Sequence, residues 1–144
     1  MTLRPRLLAS AAVLVIGCGG GAVNEKRPAA GDAGHPVDRE FVLGAGRSAE
    51  VRGTGLTIAF RAVEHDDRCP LDVQCVQAGE ARAAFAVTRA AGGDTTVVLG
   101  TRPGTETAAV GTWRIELRSL APVPTAGVPT PPESYEATLE VSRE

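Results

Sequence analysis

The chain has 144 residues, which is room for one domain of ordinary size. It carries 15 basic and 17 acidic side chains, and aromatic residues make up only 3% of it. This balance argues against sequence-independent binding of nucleic acid, which depends on a basic face, so no nucleic-acid partner is expected.

The N-terminal residues 1–17 have the three parts of an export signal. Arg4 and Arg6 give a positive start, and an almost wholly apolar run follows at residues 7–16. That run is too short for a helix that crosses a bilayer, which needs roughly 20 residues. Gly17 supplies the small residue that a signal peptidase requires beside the cleaved bond. Residues 1–17 are therefore predicted to be a signal peptide.

The signal ends in Val15-Ile16-Gly17-Cys18, which resembles the lipobox of bacterial lipoproteins. The resemblance implies cleavage before Cys18, attachment of a diacylglycerol to its thiol, and anchoring to a membrane of the cell envelope. Two or more acyl chains hold a protein stably on a bilayer, whereas one holds it only marginally. In that family an aspartate after the cysteine favours the inner membrane, so Gly19 favours the outer membrane, facing the periplasm, in a Gram-negative host. Two alternatives stay open, an ordinary signal peptide with Cys18 unmodified and an uncleaved anchor.

Residues 18–37 are predicted to be a flexible tether. The stretch 19–37 is rich in glycine, alanine, proline and charge, and it has few large aliphatic side chains. Such a segment cannot bury enough apolar surface to offset the entropy that it loses on ordering. A flexible coil of this length spans about 24 Å, enough to clear the lipid headgroups. Residues 38–144 are then the folded domain, and the chain without its signal has 13 basic against 17 acidic side chains.

Beyond Arg39 the apolar residues recur at every second position, which is the period of a β-strand. This alternation predicts antiparallel sheets with one buried and one wet face. Glycine-rich turns separate the main runs from further short strands at about residues 40–43, 48–52 and 97–99. The clearest runs have these apolar members: Leu56, Ile58 and Phe60; Ala81, Ala83, Phe85 and Val87; Trp113, Ile115 and Leu117; Tyr135, Ala137, Leu139 and Val141.

The number of strands predicts the fold class. Seven or eight short strands without a convincing amphipathic helix favour an all-β antiparallel β-sandwich of immunoglobulin-like architecture, with a small β-barrel as the alternative. Residues 122–132 include five prolines and are predicted to be a loop, because proline cannot donate to a sheet ladder. Trp113 and Tyr135 are expected between the two sheets.

Cys69 and Cys75 are predicted to form a disulfide. With Cys18 lipidated, the exported domain keeps this even pair, and the compartment outside the cytoplasm is oxidising. A redox-active pair usually has Cys-x-x-Cys spacing in a thioredoxin-like context, and both features are missing. A copper or zinc site would need more ligands than this region offers, since His65 is the only histidine of the predicted domain.

Charged side chains crowd this cysteine loop and form the candidate binding site: His65, Asp66, Asp67 and Asp72. Carboxylates in a loop can bind calcium, which takes six to eight oxygen ligands. Their spacing matches no EF-hand pattern, and Arg68 offsets part of their charge. A solvated acidic loop is the favoured interpretation, and neither a metal nor a cofactor is expected.

One stretch of the chain resembles a loop in an uncharacterised family of exported bacterial β-domains. It runs from Asp67-Arg68-Cys69-Pro70 through Cys75-Val76-Gln77-Ala78-Gly79-Glu80-Ala81. In that family a Cys-Pro-x4-Cys-x3-Gly loop bridges two strands, and an aromatic residue often stands at the position of Gln77. The resemblance covers most of residues 39–141 thinly and only this loop strongly. It implies a β-domain behind a signal and no particular activity.

Catalysis is not expected, and no catalytic residue is assigned. Acid–base or nucleophilic chemistry needs a base beside a reactive group. The sequence has no Gly-x-Ser-x-Gly elbow, phosphate-binding loop or histidine-rich metal motif. Asp66 and Asp67 are adjacent, and neighbours on a strand point to opposite faces, so they are not expected to flank one substrate.

Two functions of different classes remain. The first is a non-catalytic interaction module that presents the cysteine loop and the proline-rich loop to an envelope protein, since loops on a rigid scaffold often carry function. The second is a metal- or small-ligand-binding protein that uses the acidic cysteine loop. A structural envelope protein without a discrete site is a third, blander interpretation.

Overall fold

The computed structural model describes residues 34–144, which form a sandwich of two four-stranded antiparallel sheets. The prediction of an all-β sandwich is confirmed. None of the described residues lies in a helix that is long and apolar enough to cross a bilayer. The strands, in chain order, are β1 (Glu40–Gly44), β2 (Ser48–Val51), β3 (Leu56–Asp66), β4 (Ala81–Arg89), β5 (Asp94–Gly100), β6 (Thr107–Val110), β7 (Trp113–Ala121) and β8 (Glu136–Arg143).

The chain builds each sheet largely as a meander. One sheet has the order β2-β3-β4-β5, and the other has the order β1-β8-β7-β6. Each sheet keeps two edge strands and stays open, so the alternative of a small barrel is wrong. The two layers have the architecture of immunoglobulin-like sandwiches, whereas most neighbouring strands are consecutive and do not follow Greek-key connections.

Alternate residues of the strands fill the core between the sheets. Phe60 and Phe85 are fully buried, and their ring centroids lie 4.9 Å apart. Burying such a side chain stabilises the fold by roughly 1.5–3 kcal/mol. Tyr135 is buried as predicted, while Trp113 is only partly buried because it lies at one end of the sandwich. Other large side chains with full burial are Leu56, Ile58, Leu99, Ile115, Leu139, Val51, Val87 and Val141.

The predicted strands omit β6 and the second half of β3. The segment Thr107–Val110 has one large aliphatic residue and therefore no clear alternation in the sequence. It becomes a strand by pairing with β7 across a turn at Gly111, whose φ of 67° suits glycine. β3 continues beyond Phe60 with two register shifts against β4, and these shifts interrupt its alternation.

The two ends of the sandwich differ in their connections. At one end, called the loop end, β3 joins β4 and β7 joins β8 through long loops. At the other, called the turn end, short turns join β2 to β3, β4 to β5 and β6 to β7. The described chain enters near the turn end, where His35 pairs with Val51 and stacks on Phe41 with ring centroids 4.3 Å apart.

These contacts begin before residue 38, the predicted start of the domain, so residues 34–37 belong with the sandwich. Val37 packs against the core, and the Asp38 N–H donates to the Val141 carbonyl at 2.8 Å. The rest of the predicted tether and the predicted signal peptide lie outside the described residues.

Candidate functional site

Two loops meet at the loop end and form the candidate site, called the two-loop surface. The cysteine loop (residues 67–80) joins β3 to β4, and the proline-rich loop (residues 122–135) joins β7 to β8. The disulfide between Cys69 and Cys75 closes the cysteine loop, with Cα atoms 5.9 Å apart, and confirms the predicted pairing. It constrains a segment that forms neither strand nor helix.

The base of the cysteine loop is closed by contacts between Asp67 and Glu80. The Asp67 N–H donates to the Glu80 carbonyl at 3.0 Å, and the Glu80 N–H donates to Asp67 Oδ1 at 2.5 Å. Gly79 lies so close to this pair that a Cβ at its position would overlap the Asp67 carbonyl. This close approach gives a steric reason for the glycine in the Cys-x3-Gly pattern of the sequence.

Arg68 connects the two loops from beneath the surface, with its side chain only 12% exposed. Its Nε and Nη2 donate to the two carboxylate oxygens of Asp66 at 2.8 and 2.7 Å. Nη1 donates to the Leu120 carbonyl at 2.5 Å, and Nη2 donates to the Pro122 carbonyl at 2.7 Å. The Tyr135 hydroxyl donates to Asp66 Oδ2 at 2.9 Å. This ion pair, called the Asp66–Arg68 clamp, therefore holds the cysteine loop against both ends of the proline-rich loop.

Burial and the contacts of the clamp set the protonation of Asp66 and of Tyr135, whose hydroxyl donates to Asp66. Burial raises the pKa of Asp66, but hydrogen bonds from Arg68 and Tyr135 outweigh burial and bring that pKa below its usual value of 3.8. Burial also raises the pKa of Tyr135 above its usual 10.0, and the hydrogen bond to Asp66 adds to the effect. Asp66 is therefore ionised and Tyr135 is protonated at neutral pH, as the hydrogen bond between them requires.

A second set of contacts joins the loops nearer to their tips. The Leu71 N–H donates to the Pro124 carbonyl at 3.0 Å. Asp72 Oδ1 accepts from the Ala126 N–H at 2.8 Å, across 54 positions of sequence. Because these contacts and the clamp connect the loops at several points, the loops form one continuous surface.

The two-loop surface is apolar and nearly uncharged. Of the seven large hydrophobic side chains that are exposed in residues 34–144, five lie on it, and Val76 among them is 102% exposed. Residues 69–78 and 121–132 contain one charged side chain, Asp72, and its carboxylate is bonded to the loop backbone. Clusters of exposed apolar side chains mark contact sites on globular domains. The five are Leu71, Val73, Val76, Val123 and Val128.

The structure does not bring the four predicted binding residues together. His65 Nε2 lies 3.3 Å from Asp67 Oδ2 at the surface, whereas Asp66 turns to the other side and joins the clamp. Asp72 lies within the disulfide-closed segment and bonds to the proline-rich loop. Among the described residues, no group of three His, Cys, Asp or Glu side chains is placed to hold a metal ion. His65 and Asp66 diverge because consecutive side chains of a strand point to opposite faces, and Asp72 is separated from both by the loop.

His65 and Asp67 instead line a shallow polar cleft of about 600 Å³ beside the cysteine loop. Thr105 Oγ1 donates to Glu80 Oε1 at 2.7 Å, and this hydrogen bond is the main cause that lowers the pKa of Glu80. The hydrogen bond from the Glu80 N–H is the main cause that lowers the pKa of Asp67. The other charged residues of the cleft are Glu64, Arg82 and Arg102, so the cleft presents both signs of charge.

The sequence predicts only a charge-balancing role for Arg68, and it does not predict the exposed valines. One local signal for the surface exists, since residues 121–132 carry no charge in a chain that is 22% charged. No local pattern shows that this stretch meets the cysteine loop, because the contacts join distant parts of the chain.

Cys18, the predicted lipidation site, lies outside the described residues. Comparison of the chain with models of protein families, with curated proteins and with solved structures finds no match.

Proposed function

We propose that the chain is a membrane-anchored lipoprotein of the cell envelope whose domain is a non-catalytic interaction module. Its contact is the two-loop surface, and the occupant is an envelope protein with an apolar, uncharged patch. The observation that carries the proposal is the concentration of exposed apolar side chains on residues 69–78 and 121–132, which contain a single charged residue. Apolar groups with few charges are typical of the centre of a protein–protein interface.

The surface is held in one shape without a partner. The disulfide between Cys69 and Cys75 restrains the cysteine loop. The Asp66–Arg68 clamp and the hydrogen bond from the Ala126 N–H to Asp72 join the two loops. Proline also fixes φ at five positions of residues 122–132. Loops that are already ordered lose less conformational entropy on binding, so more of the contact energy appears as affinity.

The position of the surface favours a protein over the anchoring membrane. The surface lies at the loop end, whereas the chain that leads from Cys18 enters near the turn end, beside Val51. The eight residues of β8 alone separate the two ends by roughly 26 Å. Residues 69–78 and 121–132 also lack tryptophan, tyrosine, lysine and arginine, the residues that commonly anchor loops in a membrane interface.

The anchor itself rests on the lipobox resemblance at Cys18, and the proposed location is the outer membrane, facing the periplasm, in a Gram-negative host. Labelling of cells with a palmitate analogue tests it. We expect label on the wild-type chain and none on Cys18→Ala. No label on the wild type, or equal label on both, would contradict the anchor.

Site-specific photocrosslinking in cells tests the contact surface. A photoreactive amino acid replaces Val76 in the full-length chain, and the matched control replaces Val98, which is exposed on β5. We expect an adduct of defined mass from position 76 and none from position 98. The adduct should also form in high salt, because the only charge within residues 69–78 and 121–132, on Asp72, is already bonded to the loop backbone. Equal adducts from both positions, or none from either, would remove the two-loop surface as the contact.

The polar cleft supports a second candidate, a small-ligand site on the acidic side of the cysteine loop. The observation in its favour is that Asp67 and Glu80 face Arg82 and Arg102 in one cleft. Calorimetry with calcium, zinc and copper, compared between the wild type and Asp67→Asn, tests it. A heat of binding that is present in the wild type and absent in the variant would support the candidate. No heat of binding and no rise in the melting temperature of the wild type would rule it out.

A further inference from the structure

A second cavity, of about 410 Å³, lies at the turn end, opposite to the two-loop surface. It is called the Trp113 cavity. Apolar side chains form most of its wall, including Leu56, Val110 and Trp113, and Arg89 is the one charged residue that lines it. The turns at its mouth are built largely of glycine, alanine and threonine, so few large side chains hinder the approach of a flat surface.

Trp113 is the one tryptophan of the chain, and it is only partly buried. The Arg143 guanidinium lies over its ring, 5.6 Å from the centroid. Arg89 and Arg143 form no ion pair with another described residue, in contrast to Arg114, which lies 3.6 Å from a Glu144 carboxylate oxygen. The turn end therefore presents an amphipathic ring flanked by two cations on a chain that is acidic as a whole.

The chain reaches the domain close to this cavity. The His35 N–H donates to the Glu50 carbonyl at 2.8 Å, and the Arg52 N–H donates to the His35 carbonyl at 2.9 Å. Arg52 is followed by the β2–β3 turn, whose Thr54 and Gly55 line the Trp113 cavity. Residues 18–33 precede the described part, so a lipid on Cys18 would be joined to the domain from the side of the turn end.

We propose that the turn end rests on the phospholipid surface of the anchoring membrane, with Trp113 at the level of the headgroups and Arg89 and Arg143 against lipid phosphates. Tryptophan is favoured there because its ring is largely apolar and its N–H can still donate. Guanidinium groups suit phosphate because they donate paired hydrogen bonds. Tethering raises the effective concentration, so a weak contact is enough. The inference rests on the membrane anchor proposed above and adds an orientation, in which the two-loop surface points away from the bilayer.

Because Trp113 is the sole tryptophan, its fluorescence reports on this contact directly. The chain from residue 18 is coupled through the Cys18 thiol to a maleimide phospholipid, while Cys69 and Cys75 are protected as a disulfide. The vesicles contain phosphatidylcholine, brominated near the headgroup, and about one quarter phosphatidylglycerol, which supplies the anionic surface. This coupling fixes the anchor chemically and does not depend on lipoprotein processing. The matched variant Trp113→Phe/Val76→Trp moves the single reporter to the two-loop surface, and circular dichroism checks its fold.

We expect the brominated lipid to quench Trp113 emission at least about twofold and to shift it to the blue, and to leave the reporter at position 76 unquenched. Arg89→Gln/Arg143→Gln should reduce the quenching of Trp113, and high salt should do the same, because both weaken the contact with phosphate. No quenching of Trp113, equal quenching at both positions, or quenching at position 76 alone would overturn the proposed orientation. A chain that crosslinks to a protein through position 76 but shows no quenching of Trp113 keeps its proposed function and loses only this contact.

Discussion

The Tyr135 hydroxyl donates to Asp66 Oδ2 at 2.9 Å and so joins the end of the proline-rich loop to the end of β3, 69 positions earlier in the chain. Tyr135 directly precedes β8, which lies in the sheet opposite to that of β3, and Arg68 closes the same contact from the cysteine loop. The loop end of the sandwich is therefore held by a polar connection above the apolar core, and the apolar side chains of the two-loop surface stay exposed around it.

Loss of the clamp should destabilise the domain. Arg68→Ala leaves the Asp66 carboxylate, whose side chain is 8% exposed, without its cation and frees two backbone carbonyls. We expect the free energy of unfolding to fall by about 3 kcal/mol, because a nearly buried charge loses its partner. Urea unfolding followed by circular dichroism measures the change. Arg118→Ala is the matched control, since Arg118 pairs with Glu40 and Glu140 on an exposed sheet face and should matter little. Equal losses in the two variants would contradict a special role of the clamp.

The clamp also predicts how stability depends on pH. The pKa of Asp66 is lower in the folded state than its usual 3.8, so its contribution is present above that pH and disappears as the pH falls through the folded pKa. The stability difference between the wild type and Asp66→Asn should therefore be largest at neutral pH and should shrink below about pH 4. Urea midpoints across this range test it. A difference between wild type and Asp66→Asn that does not change with pH would argue against the assignment.

The disulfide should contribute stability by closing a seven-residue loop. Cys69→Ser/Cys75→Ser is expected to lower the free energy of unfolding by roughly 2.4 kcal/mol in the chain-entropy model. The sandwich should persist, because its core lies between the strands and not in the loop. Unfolding of wild type and variant, each with and without a thiol reductant, measures the effect. A reductant that destabilises the variant as much as the wild type would show that the loss does not come from this bond.

Gly79 should tolerate no side chain. In Gly79→Ala the new Cβ would overlap the Asp67 carbonyl, so the base of the cysteine loop must move. We expect a loss of about 1–3 kcal/mol, as for other substitutions that force a close contact apart. Gly44→Ala is the control, because the nearest atom to its Cβ would be the flexible Arg47 side chain at an ordinary 3.5 Å. Thermal unfolding compares the two, and a tolerated alanine at position 79 would mean that the loop base is mobile.

A charge on the two-loop surface should separate binding from stability. Val76 is wholly exposed, so Val76→Asp should leave the melting temperature unchanged. With a photoreactive group at Val128, another exposed position of the two-loop surface, Val76→Asp should still lower the yield of the partner adduct at least about tenfold, because a carboxylate would enter an apolar contact. Val42→Asp, on β1, is the matched control and should not change the yield. An unchanged yield in Val76→Asp would move the contact away from this surface.

The strands with strong alternation and the disulfide could be predicted from local sequence patterns. In β3, for example, Leu56, Ile58 and Phe60 point inward and are all buried, because side-chain direction in a strand follows from position alone. The pairing of Cys69 with Cys75 followed from their even number and oxidising surroundings. Both signals are local, and neither depends on which strands become neighbours.

How the two loops combine could not be predicted in this way, because it depends on tertiary contacts. His65, Asp66 and Asp67 are adjacent in sequence, yet their side chains go to two sides because consecutive side chains of an extended chain point to opposite faces. The candidate site became an apolar surface instead of an acidic cluster because Arg68 reaches carbonyls more than fifty positions away. Such contacts depend on the packing of one sheet on the other, and no periodicity within a single loop encodes that packing.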